Sequence, residues 1–311
     1  MVEVDAGARI RGSGRSGRLG RRRRRAGGRR RRVLRVGAFG GHVGLGRGRG
    51  GGRQASAGAS YRRDVRIAVV IPALDEADRI AACIEALVES IRIANGRAHE
   101  ASGGVAPDAA NVTGNAVEIV VVDGGSSDRT ADRARAAGAR VLSSKPGRAR
   151  QLEAGWRATE GEIVLFLHAD TRLPNGWSAA VRAALAEAAV AGGAFGLRFR
   201  ERSAALAVIE WGARLRARWG GLPYGDQALF VRRRVLEAEG GIAPVPIAED
   251  LDLVRAIRRH GRLALLAQDV ETSARRYLAR GVLRTWLRNA IALAAWRAGV
   301  DRERLARWYR R

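Results

Sequence analysis

Carboxylates follow three apolar stretches of the sequence, each of a length that suits a buried strand. Asp123 and Asp170 each stand at the end of such a stretch, where a core strand gains nothing from a charge. In an open parallel sheet, ligands bind beyond the carboxyl ends of the strands, so these acids could meet at one edge and hold a ligand. The simpler alternative is that a loop carboxylate caps the next helix, which suits Asp128. The three loops are Pro72-Ala73-Leu74-Asp75-Glu76, Asp123-Gly124-Gly125-Ser126-Ser127-Asp128 and His168-Ala169-Asp170.

The loop that begins at Asp123 is not a phosphate-binding loop of a familiar kind. Its sequence, DGGSS, lacks the GxGxxG pattern of dinucleotide-binding proteins and the GxxxxGK[ST] pattern of P-loop enzymes. Both classes are therefore disfavoured. Magnesium and manganese prefer oxygen ligands and can bridge a protein carboxylate to a phosphate. The acids at the strand ends thus favour a nucleotide that is held partly by carboxylates, through a divalent cation.

Strands and helices alternate along the chain after residue 64. In the first predicted helix, 76–93, apolar residues recur at spacings of three and four. Residues 95–115 are rich in Gly, Ala and Asn without periodicity, which indicates a surface insertion. Strands separated by helices predict an α/β fold with a mostly parallel central sheet flanked by helices. The other predicted elements are strands at 67–71, 118–122, 140–142, 162–168 and 192–199 and helices from 128, at 148–158, from 249 and at 281–300.

The formal net charge of +26 at pH 7 is unevenly distributed along the 311 residues. Residues 1–63 hold 19 arginines and two acids, whereas residues 64–271 hold 27 basic and 27 acidic residues. A nucleic-acid-binding fold would interleave basic and aromatic side chains, but the central region is neutral and aromatic residues make up only 5% of the chain. Nucleic acid is therefore not expected as a partner of the folded domain. Residues 1–63 are predicted to be a disordered tail, either an RGG-like arm or a solvated segment.

Residues 272–311 hold 11 arginines and two acids and form a third region. The predicted helix at 281–300 is basic and amphipathic, a pattern that suits either an anionic membrane surface or packing on the neighbouring domain. No apolar run reaches the roughly 18 to 20 residues of a spanning helix, no signal peptide is recognisable, and Cys83 is the only cysteine. These features predict a cytoplasmic protein, with a peripheral contact to the inner face of the cell membrane as an alternative.

Five segments appear in an order that is specific, although each segment alone is weak: IPALDEADR, VVVDGGSSDRT, KPGRARQLEAG, LFLHADT and AEDLDL. In this order they resemble the inverting family 2 glycosyltransferases, which have the nucleotide-diphospho-sugar transferase (GT-A) fold. The resemblance extends from about residue 65 to residue 311. More narrowly, GRARQ, LHADT, YGDQA and the terminal RLARWYR resemble the bacterial radical SAM/selenodomain-associated transferases. The resemblance implies a GT-A catalytic domain at 64–271 that binds a nucleotide-diphospho-sugar donor.

The resemblance assigns the donor side of this site to the first half of the chain. Pro72, Ala73 and Glu76 would line the nucleoside pocket, and Asp123 would bind the base or the ribose. Asp170 would take the place of the last acid in the family's Asp-x-Asp motif, where it would coordinate Mn or Mg on the diphosphate. These roles are implications of the resemblance, because the spacing of the residues alone leaves helix capping open.

His168 stands where that motif carries its first acid. A histidine can ligate Mn or donate a hydrogen bond to a ribose or phosphate, but a site with one carboxylate fewer should bind the metal more weakly. Lys145, Arg148 and Arg150 lie where a positive loop would meet the nucleotide, and fixed cations there would stabilise a diphosphate leaving group. The alternative is that these three cations are merely exposed at the start of a helix.

The second half of the chain would supply the acceptor side. Asp226 and Gln227 of the YGDQA segment are candidates for sugar or acceptor contacts, although Asp226 could equally be a turn residue. Glu249 and Asp250 match the family's Glu-Asp motif, whose aspartate acts as the general base; from the sequence alone, Asp250 would be an acid at a helix N-terminus. Asp250 would deprotonate an acceptor hydroxyl or carboxyl group, lipid or carotenoid-like among the alternatives, as it attacks the anomeric carbon.

Two other classes remain as alternatives to a sugar transferase. A nucleotidyltransferase on a related fold would need a Gly-rich loop directly after the first strand, where this chain has PALDEAD. An Arg-rich nucleic-acid-binding protein would need a basic folded body, which the neutral residues 64–271 do not provide. A glycosyltransferase is therefore the function that the sequence favours.

Overall fold

The computed structural model describes residues 65–100 and 116–311, without the side chains of residues 95–100. The predictions for the tail at 1–63, and for the insertion from residue 101 to 115, lie outside the described residues. The described part contains seven strands and ten α-helices, which alternate as far as β6; α6 and α7 then precede β7, and α8, α9 and α10 follow it. The strands are β1 Ile67–Ala73, β2 Val117–Asp123, β3 Arg140–Ser143, β4 Ile163–Phe166, β5 Val190–Phe199, β6 Phe230–Arg232 and β7 Arg262–Thr272.

One seven-stranded sheet organises these elements, in the order β3-β2-β1-β4-β6-β5-β7. The short strand β6 runs antiparallel to its neighbours β4 and β5, and the other paired strands are parallel. The predicted α/β fold with a mostly parallel sheet flanked by helices is thus confirmed. The helices are α1 Ala77–Glu100, α2 Thr130–Ala136, α3 Arg148–Arg157, α4 Trp177–Ala186, α5 Ala204–Gly220, α6 Arg233–Ala238, α7 Glu249–His260, α8 Arg275–Arg280, α9 Val282–Arg297 and α10 Arg302–Arg310.

Some element boundaries differ from the sequence-based expectation. Helix α1 continues to Glu100, beyond the predicted start of the insertion at residue 95, because backbone hydrogen bonding propagates through residues that lack an apolar stripe. Helix α2 begins at Thr130 rather than Asp128. The Asp128 carboxylate accepts hydrogen bonds from the backbone N–H of Thr130 at 2.9 Å and from that of Ala77 at 3.1 Å. Asp128 therefore holds the starts of two helices, as the simpler interpretation of this residue predicted.

The register of the parallel strands aligns the loops that carry the acids. Ala73 pairs with Asp123, and Asp123 pairs with Ser143, so β1, β2 and β3 end at one level. The two loops that follow β1 and β2 then bond to each other. Ser127 donates its backbone N–H to Asp75 Oδ1 at 2.8 Å, and the Asp75 N–H donates to Ser126 Oγ at 3.0 Å. Asp75 adopts a φ of 53° in this turn.

The sheet carries an apolar core on each face. Strand β1 supplies both cores because its side chains alternate: Val69 faces the layer that contains α1 and α4, and Val70 faces the layer that contains α3 and α7. Both valines are fully buried, and burial of a valine or isoleucine side chain stabilises the fold by about 1.5 to 3 kcal/mol. This double burial explains why the strand sequence is an unbroken apolar run.

The last two helices pack on the second of these cores. Trp296 of α9 and Leu305 of α10 are buried in the same cluster as residues of α7. The Trp296 indole donates to Asp252 Oδ1 at 3.0 Å, and the Arg302 guanidinium contacts both oxygens of that carboxylate at 2.7 and 2.8 Å. Helices α9 and α10 are thereby fixed against the N-terminal part of α7. Within residues 65–100 and 116–311, no helix is long and apolar enough to cross a bilayer.

Candidate active site

The loop after β2 is organised around the Asp123 carboxylate. This side chain is only 7% exposed, and it accepts hydrogen bonds from the backbone N–H groups of Gly125 at 3.2 Å and Ser126 at 3.1 Å. The Ser126 hydroxyl donates to the same carboxylate at 2.5 Å. Three donors from its own loop therefore hold Asp123 in place at the end of the strand.

A buried glutamine that sequence reasoning did not single out joins the ends of β1 and β2. The side-chain amide of Gln151, in α3, donates to the carbonyl of Ala73 at 2.7 Å and to that of Val122 at 2.8 Å. A Cβ atom on Gly124 would lie only 3.0 Å from this amide, so a glycine suits that position. The signal in the sequence was a polar side chain within an otherwise apolar helical face, at a site where strand-end carbonyls need donors.

A cavity of about 380 Å³ and a second one of about 580 Å³ adjoin at the carboxyl edge of the sheet. The larger one, the strand-end cavity, is lined by several of the predicted donor-side residues. These are Pro72, Ala73, Glu76, Arg148, His168 and Asp170. Asp123 is buried and is not among the residues that line either cavity, and Lys145 and Arg150 are exposed outside the lining. Of the three cations proposed for the nucleotide, the structure thus brings only Arg148 to the cavity.

The smaller cavity, the helix-side cavity, is bounded by the N-terminus of α7 and by α9 and α10. Asp226, Glu249 and Asp250 line it, as do Leu293 and Tyr309 from the C-terminal helices. The structure therefore groups three of the four predicted acceptor-side residues. The fourth, Gln227, faces the interior. It is 1% exposed, its amide donates to the Phe195 carbonyl at 2.9 Å, and its carbonyl accepts from the Tyr224 N–H at 3.1 Å.

Arg148 connects the two cavities. Its Nε lies 3.0 Å from Glu249 Oε1, an ion pair that lacks hydrogen-bond geometry, and its Nη2 contacts His168 Nε2. Burial raises the pKa of the Glu249 carboxyl, although the neighbouring Arg148 opposes that shift. Burial, together with the cations Arg148 and Arg276, holds the pKa of His168 well below its usual range. His168 is accordingly neutral at pH 7, and its Nε2 accepts from the arginine.

Asp250 lies in the first turn of α7, after Ala248, whose φ is 63°. Its Oδ2 accepts a hydrogen bond from the Gly225 N–H at 2.8 Å. A Cβ atom on Gly225 would overlap the Arg148 guanidinium and lie 3.2 Å from the Asp250 side chain. The glycine of YGDQA therefore allows close approach, here between the backbone and two side chains of the site. This contact fixes one oxygen of the Asp250 carboxylate at the wall of the cavity.

Asp226 is an acid of the site with a buried carboxylate oxygen that no hydrogen bond compensates. Its Oδ1 is buried and has no hydrogen-bond partner among the described residues. Burial raises the pKa of the Asp226 carboxyl, the nearby Asp250 adds to the increase, and Arg216 opposes it. A buried, unsatisfied carboxylate destabilises the fold unless a bound ligand supplies a donor. Asp226 is thus poised to accept a hydrogen bond within the helix-side cavity.

Because of this environment, the difference in stability between the wild type and an Asp226→Asn variant should depend on pH. Because folding raises the pKa of Asp226, ionisation of this carboxyl costs stability; the cost is absent below about pH 4, grows as the pH rises from there to the raised folded-state pKa, and is constant above it. We expect the variant to exceed the wild type in free energy of unfolding by about 1 kcal/mol near pH 8, and by less near pH 5. Urea unfolding at the two pH values measures the free energy of unfolding of both proteins. Asp132→Asn, which removes an exposed acid, is the control, and an equal gain at both pH values would contradict the prediction.

The carboxylate that could bind a metal is Asp170. Its Oδ1 lies 3.4 Å from the hydroxyls of Thr171 and Thr272, and the residue lines the strand-end cavity. Within the described ranges, no group of three or more His, Cys, Asp and Glu side chains is arranged to hold a metal. Mg²⁺ commonly binds through one or two carboxylates together with substrate phosphates rather than in an all-protein cage. The donor set therefore fits a divalent cation that binds together with a diphosphate.

Two arginines from the C-terminal helices complete the site. Arg276 of α8 and Arg310 of α10 line both cavities, as Arg148 and His168 do. Sequence reasoning treated residues 272–311 as a separate basic region and did not identify these side chains. Arginine is so frequent in this chain, with 57 Lys+Arg residues in all, that composition does not distinguish a site arginine from a surface one. The resulting edge of the site is strongly cationic, which suits a phosphorylated ligand.

The parallel sheet, the acids at its carboxyl edge and the acidic N-terminus of α7 across the cavity together define a fold of the GT-A nucleotide-diphospho-sugar transferase class. Residues 68–236 match the family model described as "Glycosyl transferase family 2". Because this match covers more than half of the chain, the chain belongs to glycosyl transferase family 2.

Individual relatives resemble smaller parts of the chain in sequence. The glucosyl-3-phosphoglycerate synthases of Mycolicibacterium paratuberculosis (strain ATCC BAA-968 / K-10) and Mycobacterium tuberculosis (strain ATCC 25618 / H37Rv) are each 36% identical over 118 residues. The matched stretch is 35% of this chain and 30% of each relative, so the chain spans less than a third of the length of the curated relatives that it matches.

A solved structure resembles most of the chain in fold. The crystal structure of the M. tuberculosis glucosyl-3-phosphoglycerate synthase with Mn²⁺, UDP and glucosyl-3-phosphoglycerate gives a TM-score of 0.51 at 23% sequence identity. The comparison covers 78% of this chain and 82% of that protein. At 23% identity, the comparison shows a shared fold and nothing further.

Proposed function

We propose that this family 2 glycosyltransferase transfers a sugar from a nucleotide-diphospho-sugar to an acceptor hydroxyl or carboxyl group with inversion at the anomeric carbon. The observation that carries the proposal is the position of Asp250, which lies in a cavity that adjoins the strand-end cavity through Arg148 and His168. A donor in the strand-end cavity would have its sugar directed toward this junction. The carboxylate then lies on the acceptor side of the sugar.

The donor would occupy the strand-end cavity. Pro72, Ala73 and Glu76 line it and are the proposed contacts to the nucleoside. Glu76 is already paired with Arg79 at 3.0 Å and with Arg275 at 3.2 Å, so a ribose hydroxyl would have to share this carboxylate with two guanidinium groups. Asp123, which is held by the N–H groups of its own loop at the end of β2, is the proposed partner of the base or ribose.

The diphosphate would lie among Arg148, Arg276 and Arg310, with Asp170 as the ligand of a Mn or Mg ion. The ion, when bound, would neutralise charge that develops on the departing diphosphate. The arginines supply the same electrostatic stabilisation from fixed positions. The M. tuberculosis structure with the similar fold contains Mn²⁺ and UDP, which is consistent with this assignment. Lys145, before α3, and Arg150, within α3, are exposed and do not line the strand-end cavity, so the proposed contact to the diphosphate from this segment is that of Arg148.

Asp250 would act as the general base. Its Oδ2 accepts from the Gly225 N–H and its Oδ1 from the Leu251 N–H, both at 2.8 Å, and the residue lines the helix-side cavity. There it would accept the proton of the acceptor as the acceptor oxygen attacks the anomeric carbon from the face opposite the diphosphate. Glu249, paired with Arg148, would position the arginine, and Asp226 would accept a hydrogen bond from a sugar or acceptor hydroxyl. Membership of the radical SAM/selenodomain-associated subgroup stays a prediction.

A donor screen tests the proposed activity directly. The purified chain is incubated with individual nucleotide-diphospho-sugars, and released nucleoside diphosphate is measured with Mn²⁺ and with a chelator. We expect one class of donor to be hydrolysed or transferred, faster with Mn²⁺, and a product whose anomeric configuration is opposite to that of the donor by NMR. A retained configuration would overturn the inverting mechanism. Binding of donors without any release, in the presence of a range of acceptors, would overturn the transferase activity.

A further inference from the structure

Helix α5 carries an apolar stripe on the side that faces away from the protein. Its buried residues, Leu206, Ala213 and Ala217, lie along one face. The opposite face, at spacings of three and four residues, carries a second set of apolar side chains, of which Trp219 is 85% exposed. Folding does not bury this stripe within the described part of the chain. Its members are Val208, Trp211, Leu215 and Trp219.

Helix α9 shows the same arrangement. Thr285 and Trp296 are buried against the protein, and the outward face is again apolar, with Leu283 74% exposed. The two helices are neighbours, since Ile209 of α5 and Val282 of α9 pack on one apolar cluster. We call the outward faces of these two neighbouring helices, taken together, the outer apolar face. It consists of Val208, Trp211, Leu215 and Trp219 of α5 and Leu283, Leu287 and Ile291 of α9.

The charges around the outer apolar face have one sign. Between residues 202 and 221 the only acid is Glu210, which is buried, accepts from the Phe199 N–H at 2.7 Å and pairs with Arg202 at 3.3 Å. Residues 273–300 contain no acid at all. Four exposed arginines in these segments form no ion pair within the described part of the chain. They are Arg218, Arg280, Arg284 and Arg297.

We propose that the outer apolar face binds the surface of a bilayer that contains anionic phospholipid. Tryptophan side chains favour the membrane–water interface, where the ring is apolar and the N–H is wet. Arginines beside them attract acidic headgroups while their stems cover apolar surface. A second copy of the chain is the weaker candidate, because a two-fold contact would place the same unpaired arginines against each other. The charge of the face thus selects an anionic partner, and its apolar side chains select a lipid surface.

In this orientation, the helix-side cavity would lie close to the lipid surface. Asn289, Ala292 and Leu293 on the inner side of α9 line that cavity, whereas Leu287 and Ile291 lie on the outer side. A helix is about 10 to 12 Å across with its side chains, so the cavity would lie within about one helix diameter of the lipid surface. The proposal about lipid binding does not depend on the proposed catalytic activity, because it is tested by binding alone.

Quenching of tryptophan fluorescence by lipids with brominated acyl chains tests the proposal on the full chain. All seven tryptophans of the sequence follow residue 150, so the Arg-rich residues 1–63 can adsorb to a vesicle without contributing to the signal. With vesicles of phosphatidylcholine and phosphatidylglycerol, we expect quenching of the wild type and a clear reduction of it in Trp211→Phe/Trp219→Phe, in which Trp286, 47% exposed on α9 beside the face, accounts for the remainder. Trp308→Phe, a change on α10 outside the face, is the matched control and should retain the quenching. Vesicles of phosphatidylcholine alone should quench less.

Two results would overturn the proposal. One is equal quenching in the wild type and in the Trp211→Phe/Trp219→Phe variant, since the lipid would then contact another surface. The other is a dimer in analytical ultracentrifugation that Leu283→Glu/Leu287→Glu converts to a monomer, since a second copy would then cover the face. Both pairs of substitutions are at exposed positions, so circular dichroism should show an unchanged fold.

Discussion

Replacement of Asp250 by asparagine is expected to abolish sugar transfer while nucleotide binding persists. Asparagine retains an oxygen that can accept from the Gly225 N–H, the 2.8 Å contact that positions the wild-type side chain. The amide cannot accept a proton from the acceptor, however, and loss of a general base typically costs about 10²- to 10⁴-fold in rate. Release of nucleoside diphosphate measures the rate, and calorimetry measures the affinity for the nucleotide.

The control for this prediction is Asp132→Asn, an exposed acid of α2 that takes no part in either cavity. Its transfer rate and its nucleotide affinity should equal those of the wild type. Transfer by Asp250→Asn within about tenfold of the wild type would show that the base is another group. A parallel loss of nucleotide affinity would instead assign Asp250 to donor binding.

Replacement of Asp170 by alanine is expected to remove the metal-dependent part of nucleotide binding. Asp170 is a carboxylate that lines the strand-end cavity close to His168 in the sequence, and His168 itself is in contact with Arg148. The loss of this ligand should weaken binding of a nucleoside diphosphate in Mn²⁺ by on the order of tenfold or more. In a chelator, wild type and variant should bind with the same affinity, because the arginines remain.

Calorimetric titrations of nucleoside diphosphate with Mn²⁺ and with a chelator make this comparison for both proteins. Asp170→Asn serves as a second variant, since it preserves the contacts to Thr171 and Thr272 at 3.4 Å and removes only the charge. An unchanged affinity in Mn²⁺ for both variants would refute the metal assignment. The metal-independent affinity that remains includes the contributions of Arg148, Arg276 and Arg310 and of the nucleoside contacts.

The strands could be predicted from the sequence because they are buried on both faces. An unbroken run such as 67–71 has few alternatives once flanking helices are recognised, and Ile80, Ile84, Leu87 and Ile91 are all buried as their periodicity implies. The ends of elements were less predictable. The continuation of α1 to Glu100 depends on backbone hydrogen bonds that carry no apolar pattern, and the start of α2 depends on the side-chain bonds of Asp128.

The candidate site could be predicted at positions where a charged residue would destabilise the fold unless it bound a ligand. Acids at the ends of apolar strands, such as Asp170, are of this kind, and the structure places Asp170 in the strand-end cavity. Arginines are not. Lys145, Arg148 and Arg150 look equivalent in the sequence, but only Arg148 turns into the cavity, where it meets Glu249 at 3.0 Å. Which cation points inward depends on the path of the backbone between β3 and α3.

By itself, the sequence determined a mostly parallel α/β domain of neutral charge between two basic ends, and a set of acids at the carboxyl edge of its sheet. Those features follow from the order of residues along the chain, because a buried strand requires an apolar run. The carboxyl ends of parallel strands also meet at a common edge. Only the tertiary structure decided which distant side chains meet there. Arg276 and Arg310 line the site because α8 and α10 fold back over it.

The tertiary structure also decided the direction of each amphipathic helix. The sequence shows that α9 has an apolar face and a basic face, but either one could turn toward the protein. In the fold, Trp296 turns inward to Asp252 at 3.0 Å, and Leu283 and Leu287 turn outward. The same holds for Trp211 and Trp219 of α5. The physical reason is that periodicity specifies the angle between side chains around a helix, whereas the packing of the whole chain specifies which angle faces the core.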